Sequence, residues 1–234
     1  MSLPDLAGLT VAFDLDGTLV DSAPDLHRSI NDLLAAENLP PASLDDVRRY
    51  VGQGARTLIV RAFAVHGIHP DEARLGLLTE EYLSIYASDI AAHTTIIPGV
   101  PDALTALAGS GATLCVCTNK RTDLSVQLLD ALELSPRFAA IVGADRAPNR
   151  KPHPDHFLAA IRAAKGDPAR AVMIGDSIND VLSARAANAP VAIYAHGYTD
   201  TAPELLGADA VFGHYDELPD LAVRLAGLQP TPRT

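Results

Sequence analysis

The sequence contains no tryptophan, only two cysteines, and far fewer basic than acidic residues: 18 lysines and arginines against 29 aspartates and glutamates among 234 residues. The formal net charge of −11 argues against a nucleic-acid-binding surface. No apolar run reaches the length of a membrane span, and the N-terminus lacks the basic and then apolar order of a signal peptide. We therefore expect a cytoplasmic protein with no membrane and no nucleic-acid partner.

The two cysteines, Cys115 and Cys117, lie two residues apart in an apparent strand. This spacing places both side chains on one face of a sheet, and it matches neither a C-x-x-C motif nor a feasible disulfide. We expect both thiols to pack in the core. His153 and His156 are spaced like a metal pair, but no third soft ligand is near them in the sequence, so no zinc site is predicted.

Short apolar runs alternate with amphipathic helical segments from about residue 96 to residue 212. Such alternation predicts an α/β fold with a mostly parallel sheet and helices on both faces. Between the first strand and Ile96 the apolar spacing predicts helices only, the first of them beginning with a capping box at Ser22 and Asp25.

This interruption predicts two domains: a catalytic core formed by residues 1–20 and 94–234, and a helical domain formed by residues 21–93. The two connections, near Val20–Ser22 and Ala92–Thr95, are candidate hinges. The tail from Gln229 to Thr234 is expected to be frayed.

The first strand ends in a pair of acids. Val11, Ala12 and Phe13 are followed at once by Asp14, Leu15 and Asp16, and then by the turn residues Gly17 and Thr18. In open α/β sheets, ligands bind just past the carboxyl ends of strands. Two carboxylates this close repel each other unless a cation lies between them or one of them is protonated. Both conditions suit phosphoryl transfer.

Three later segments carry polar residues after an apolar strand or inside a rigid loop. Thr118 and Asn119 follow the strand Thr113–Cys117, Lys151 is held between residues 149 and 154 by neighbouring prolines, and Asp176 and Asp180 follow the strand at residues 171–174. A hydroxyl, an amide and free backbone N–H groups can bind phosphate oxygens. A lysine supplies a compact positive charge, and clustered carboxylates suit Mg²⁺.

These four segments, in this order, resemble motifs I to IV of the haloacid dehalogenase (HAD) superfamily in its phosphatase form. Within the superfamily the chain is most similar to bacterial phosphoglycolate phosphatases, through residues 16–25, 50–56, 118–120, 151–154 and 175–180. The resemblance implies a Rossmann-like HAD core with an inserted α-helical cap. Arg121, Asp155 and His156 depart from the pattern, and we expect these departures to lie outside the chemistry.

The resemblance also implies roles for the motif residues. Asp14 would be the nucleophile that forms an aspartyl-phosphate, and Asp16 the general acid and base. The phosphate would be bound by Lys151, Thr118, Asn119 and the backbone N–H groups of Leu15 and Asp16. The implied cofactor is Mg²⁺, with Asp14, the carbonyl of Asp16 and Asp176 as ligands. Asp180 would support the metal less directly.

The substrate is expected to be a small phosphorylated metabolite, most specifically 2-phosphoglycolate, and its choice is expected to depend on the cap. The cap segment Gly52, Gln53, Gly54 and Arg56 is the candidate specificity loop, with Arg56 facing a substrate carboxylate.

Other readings stay open. They are a phosphatase for a sugar phosphate or pyrophosphate, a β-phosphoglucomutase-like phosphotransferase, and a non-catalytic binding protein. The four motifs disfavour the last reading, and they also disfavour a dehalogenase. The chain could be a monomer or a homodimer.

Overall fold

The computed structural model describes residues 4–227, and this part of the chain forms eight β-strands and nine α-helices. No helix in this range is long and apolar enough to cross a membrane. The strands are β1 (Thr10–Phe13), β2 (Val20–Asp21), β3 (Thr95–Ile96), β4 (Thr113–Cys117), β5 (Ala140–Val142), β6 (Ala171–Gly175), β7 (Val191–Tyr194) and β8 (Ala210–Phe212). The helices are α1 (Ala23–Ala36), α2 (Leu44–Tyr50), α3 (Ala55–Ala64), α4 (Glu72–Ser88), α5 (Val100–Gly109), α6 (Thr122–Ala131), α7 (Pro154–Ala163), α8 (Ile178–Ala186) and α9 (Leu218–Leu225).

Six of the strands form one parallel sheet in the order β5-β4-β1-β6-β7-β8. The strand that ends in the acidic pair, β1, lies near the centre, between β4 and β6. Its Phe13 is opposite Val116 on one side and Ile174 on the other, so the three strands end at the same edge. The predicted α/β class and mostly parallel sheet are confirmed.

The sheet separates two apolar cores, as the alternation of side chains along a strand requires. Val11 and Phe13 of β1 pack in the larger core with helices α5, α6 and α9, whereas Ala12 packs in the smaller core with α7 and α8. Helices therefore cover both faces of the sheet, as expected. Cys115 and Cys117 are free, buried and part of the smaller core, which confirms their predicted packing role.

The four helices α1 to α4 follow one another without an intervening strand, at the place where the sequence predicts a helical insertion. Their two connections to the sheet pair as the short antiparallel strands β2 and β3. The division into two domains at residues 21–93 stays a prediction. The expected frayed tail lies outside the described residues.

The capping box predicted at Ser22 and Asp25 is wrong. Ser22 is the N-cap of α1, but its backbone is helical and its side chain makes no capping hydrogen bond. Its hydroxyl instead donates to the Asp16 carboxylate at 2.5 Å. Both side chains of the expected box therefore make contacts outside the helix: Ser22 binds Asp16, and Asp25 binds residues 93 and 94.

Asp25 joins the two connections of the helical insertion. Its carboxylate is fully buried, and Oδ2 accepts hydrogen bonds from the backbone N–H groups of His93 and Thr94 and from the Thr94 hydroxyl, at 2.7–2.9 Å. Burial alone would raise the pKa of Asp25, but these hydrogen bonds outweigh it and lower the pKa. One carboxylate thus fixes the start of α1 to the segment before β3.

We expect Asp25→Ala to destabilise the protein by about 3 kcal/mol, because it leaves the two buried donors of Thr94 and the partly buried N–H of His93 without an acceptor. The matched control is Asp32→Ala, which removes a half-exposed carboxylate from the same helix and should cost less than about 0.5 kcal/mol. Urea unfolding followed by circular dichroism measures both changes. Equal stability of the two variants would contradict the role given to Asp25.

Candidate active site

Polar residues from three neighbouring strands meet at the carboxyl edge of the sheet. Asp14 follows β1, Thr118 follows β4 and Asp176 follows β6, and all three are buried. The Asp14 backbone N–H continues the ladder to the Ile174 carbonyl at 2.9 Å. Residues that are far apart in the sequence are therefore brought together because parallel strands end side by side.

Lys151 lies at the centre of this group and is almost fully buried. Its ammonium is 3.0 Å from Asp14 Oδ1 and 2.6 Å from Asp180 Oδ1. Burial opposes the charge of the lysine, but the two carboxylates outweigh burial and raise its pKa. Lys151 is therefore a fixed cation beside the proposed nucleophile.

The carboxylates nevertheless outnumber the lysine. Burial raises the pKa of Asp14 to about 6, with Lys151 opposing the change and Asp180 and Asp16 adding to it. Burial, followed by the charges of Asp14 and Asp180, raises the pKa of Asp176 well above its usual range. The site therefore favours a further positive charge.

An oxygen from each of Asp14, Asp176 and Asp180 lies within 4.8 Å of the other two, which is a geometry that a divalent cation can use. Asp180 is already occupied: Oδ1 binds Lys151, and Oδ2 accepts from Ser177 Oγ at 2.7 Å and from two backbone N–H groups. Asp176 accepts only one hydrogen bond at each oxygen, from Thr18 Oγ1 at 3.3 Å and from the Tyr198 N–H at 2.7 Å, and Asp14 Oδ2 accepts none from residues 4–227. Asp14 and Asp176 therefore keep more lone pairs for a cation, and Asp180 fits a supporting role. The donor set suits Mg²⁺.

Several N–H groups could hold phosphate oxygens. The Leu15 N–H donates to Asp14 Oδ1 at 2.7 Å, whereas the N–H groups of Asp16 and Asn119 have no hydrogen-bond partner within residues 4–227. Phosphate binding by Asn119 stays a prediction, and its side-chain amide already has partners. Its amide donates to the carbonyls of Gly52 and Lys151, at 2.9 and 3.0 Å, so no amide donor is left.

Asp16 has two side-chain partners that the sequence did not indicate. Its Oδ1 accepts from Ser22 Oγ at 2.5 Å and from Lys120 Nζ at 2.7 Å. The other oxygen, Oδ2, has no hydrogen-bond partner in the described part of the chain. Since Asp16 lines the cavity, this oxygen is available to a bound molecule.

The cavity lies between the sheet edge and the helical insertion and has a volume of about 320 Å³. Polar groups of the core close one end, and side chains of the helices form a largely apolar wall at the other. The core side includes Asp14, Asp16, Thr118, Asn119, Lys120 and Arg150. The helical side includes Leu26, Tyr50, Leu58, Tyr82, Leu83 and Tyr86.

The predicted specificity loop lies at this cavity. Gly52, Gly54 and Arg56 are lining residues, whereas the Gln53 side chain accepts a hydrogen bond from Arg61 at 3.0 Å. A side chain at Gly54 would place its Cβ 2.8 Å from an Arg150 nitrogen, and the backbone there has a φ of +83°. A Cβ at Gly52 would meet no atom within 4 Å, so the role of this loop in substrate choice stays a prediction. Arg56 is paired with Glu72 at 2.5 Å, so its charge already has a partner.

Two aromatic residues also shape the site. The Tyr198 N–H donates to Asp176 Oδ2 at 2.7 Å, and the Tyr198 hydroxyl donates to Asp21 at 2.5 Å. His156 contacts the Lys151 loop, although the sequence placed it outside the chemistry. Its Nδ1 accepts from the Lys151 backbone N–H at 3.3 Å, and Nε2 lies 3.1 Å from the Val142 carbonyl. The spacing of Lys151 and His156 in the sequence gave no indication of this contact.

Comparison with known proteins agrees with this geometry. Residues 9–188 match the family model described as haloacid dehalogenase-like hydrolase. The chain is 48% identical over 233 residues to a phosphoglycolate phosphatase of Caulobacter vibrioides, covering 100% of this chain and 98% of that one. It is 44% identical over 206 residues to a phosphoglycolate phosphatase of Agrobacterium fabrum, covering 88% of each.

A solved structure from Haemophilus somnus, described as a predicted phosphoglycolate phosphatase, superposes with a TM-score of 0.85 at 30% identity. The match covers 92% of this chain and 98% of that one.

We expect the imidazole of His156 to make stability depend on pH. Burial, followed by the charge of Lys151, lowers the pKa of His156 from 6.5 to about 4. Between these values the unfolded chain binds a proton that the folded chain does not, so stability should fall as the pH decreases from 6.5 towards 4. The loss should approach roughly 3 kcal/mol.

Urea unfolding at several pH values from 4.5 to 7.5 measures this dependence. His156→Gln should remove this part of the slope, whereas His69→Gln, at an exposed position, should keep it. The same slope in all three proteins would show that His156 is not the titrating group.

Proposed function

Because the chain belongs to the haloacid dehalogenase-like hydrolases and is a phosphoric monoester hydrolase, we propose that it hydrolyses 2-phosphoglycolate to glycolate and phosphate. The observation that carries this proposal is the buried Asp14 carboxylate, which lies 3.0 Å from the Lys151 ammonium and faces the same cavity as Asp16. This arrangement supplies a nucleophile, a fixed cation for the phosphate and an acid for the leaving group.

Asp14 attacks the phosphorus atom, so that a bond forms to one carboxylate oxygen and the bond from phosphorus to the ester oxygen breaks. Lys151 is already fixed by Asp180, and its charge stabilises the equatorial phosphate oxygens in the transition state without reorganisation. The unpartnered N–H groups of Asp16 and Asn119 point to further phosphate contacts, together with Thr118.

Asp16 donates a proton to the departing ester oxygen through Oδ2, the oxygen that has no partner in the described residues. In the second step it takes a proton from the water that attacks the phosphorus, and Asp14 is released with inorganic phosphate. Ser22 and Lys120 hold the other oxygen of Asp16, at 2.5 and 2.7 Å. They thereby fix the direction in which the proton is delivered.

We propose Asp14, the Asp16 carbonyl and Asp176 as ligands of Mg²⁺, with Asp180 holding Lys151 and the start of α8 in place. When bound, the ion supplies positive charge that offsets the repulsion between the carboxylates and the phosphate. The raised pKa values of Asp14 and Asp176 support a cation at this position.

The helical segment 21–93 is proposed as a separate cap that closes the cavity, with Gly52, Gln53, Gly54 and Arg56 forming the loop over the core. The names of the similar proteins support 2-phosphoglycolate as substrate. The largely apolar wall of the 320 Å³ cavity supports a second candidate, a phosphatase for a larger phosphorylated metabolite such as a sugar phosphate.

We expect phosphate release from 2-phosphoglycolate to be much faster than from sugar phosphates, pyrophosphate or an aryl phosphate, all with Mg²⁺ present. Asp14→Asn should reduce kcat by at least about 10³-fold, because an amide cannot serve as the nucleophile. Steady-state assays of inorganic phosphate measure both effects, and the melting temperature of the variant confirms that it is folded.

A preference for a sugar phosphate would favour the second candidate. Transfer to a sugar without free phosphate would favour a phosphotransferase. Full activity of Asp14→Asn would overturn the mechanism.

We expect removal of divalent ions by a chelator to abolish phosphate release and added Mg²⁺ to restore it. Mg²⁺ should also raise the melting temperature of the chelated protein, because an ion that binds only the folded state stabilises it. Asp176→Asn should remove this thermal effect, whereas Asp209→Asn, at the opposite end of β7 from the site, should keep it. Activity that survives chelation would contradict a metal requirement.

A further inference from the structure

Lys120 is a buried cation that holds Asp16 in the proposed reaction. It lies in the connection between β4 and α6, and its side chain is 7% exposed. The ammonium donates to Asp16 Oδ1 at 2.7 Å and to the hydroxyl of Tyr86, from helix α4, at 3.0 Å. The group therefore lies where the core and the helical insertion meet.

The chemistry of 2-phosphoglycolate brings its carboxylate close to this point. The ester oxygen must lie against Asp16, which protonates it as it leaves. Three covalent bonds separate this oxygen from each carboxylate oxygen, a reach of about 3 to 4 Å. The carboxylate must therefore lie within a short distance of Asp16, and Lys120 is bonded to Asp16.

Lys120 and Tyr86 have donors left for such a group. An ammonium has three N–H donors, of which two are used here, and the third has no partner among residues 4–227. The Tyr86 hydroxyl accepts from Lys120, so its own proton is available to an acceptor. Both residues line the cavity. A carboxylate there would accept two hydrogen bonds away from bulk water, where charged interactions are strong.

The other cations of the cavity are poorer candidates. Arg56 is paired with Glu72 and Arg121 with Asp123, at 2.5 and 2.9 Å, and all four side chains are well exposed. Arg150 is exposed at the rim beside Gly54. Exposed charges contribute little because solvent screens them. Lys120, which is buried, is therefore better placed than Arg56 to face a substrate carboxylate.

We propose that Lys120, assisted by the Tyr86 hydroxyl, binds the carboxylate of the substrate and so selects phosphate esters that carry a carboxylate on the carbon next to the ester oxygen. This inference rests on the proposed function and makes Lys120 a specificity-determining residue. It also gives the helical insertion a direct part in that choice, because Tyr86 comes from α4.

The test compares 2-phosphoglycolate with ethyl phosphate, which has the same two-carbon frame without the carboxylate. Lys120→Met should lower kcat/KM for 2-phosphoglycolate about 10- to 100-fold more than for ethyl phosphate. Tyr86→Phe, which keeps the lysine, should show a smaller loss with the same selectivity. Lys165→Met, which changes an exposed lysine outside the cavity, is the matched control. Its kcat/KM values for both esters should equal those of the wild type.

Binding to Asp14→Asn, measured by calorimetry, separates this inference from the proposed function. Adding Lys120→Met should weaken binding of 2-phosphoglycolate and leave binding of ethyl phosphate nearly unchanged. This result would uphold the role of Lys120 even if the wild type hydrolysed neither ester, an outcome that would overturn only the proposed function.

Two results would overturn the inference while hydrolysis of 2-phosphoglycolate still supports the proposed function. In one, Lys120→Met lowers kcat/KM equally for both esters, which would show that Lys120 acts only through Asp16. In the other, Arg56→Met lowers kcat/KM for 2-phosphoglycolate relative to ethyl phosphate by a larger factor than Lys120→Met does.

Discussion

The ammonium of Lys151, buried between Asp14 and Asp180, is the interaction on which the site depends. A buried lysine without a partner, or either buried carboxylate without the lysine, would be strongly unfavourable. The three groups come from the residue after β1, from the loop before α7 and from the first turn of α8. They meet only when β1 and β6 are adjacent and end at the same edge, so the charge cluster and the parallel sheet require each other.

Asp180 shows how this cluster is held rigid. One of its oxygens binds Lys151, and the other accepts hydrogen bonds from Ser177 at the start of α8. The backbone is equally constrained around Asp176, because a Cβ at Gly197 would lie 2.1 Å from the Asp176 Cβ. The Asp14 carboxylate, the proposed nucleophile, therefore belongs to a network whose members are held by one another, and such preorganisation is what electrostatic catalysis needs.

The parallel sheet, the helical interruption and the convergence of Asp14, Thr118, Lys151 and Asp176 could be predicted from the sequence. The sheet and the positions of Asp14, Thr118 and Asp176 follow from local signals: an apolar run, a turn and a polar residue at a strand end. The place of Lys151 in this group is implied by the resemblance to the third HAD motif. The partners of Asp16 could not be predicted in this way. Ser22 looks like an ordinary helix cap, and Lys120 like a loop lysine, because their contacts depend on how the loops fold over the strand ends.

The partners of Asp25 and His156 also could not be predicted from local patterns. Asp25 stands three residues after a serine at a helix start, which is a capping pattern, yet the carboxylate binds residues 93 and 94, 68 and 69 positions away. A helix start and a tertiary contact compete for the same polar side chain. Here the Asp25 carboxylate binds the donors of His93 and Thr94 and does not cap the helix. His156 is likewise marked in the sequence only by its spacing from His153. In the structure its Nδ1 accepts a hydrogen bond from the Lys151 backbone N–H.

The two parts of the fold contribute different groups to the cavity. The sheet edge provides most of the charged groups, whereas α1 to α4 provide most of the apolar wall. Two hydrogen bonds join these parts. The Lys120 ammonium of the core donates to the Tyr86 hydroxyl, and the Asn119 amide of the core donates to the Gly52 carbonyl of the insertion. Any opening of the insertion must break these contacts, and breaking the first also removes a partner from the lysine that holds Asp16. The position of the helices and the orientation of the acid are therefore physically coupled.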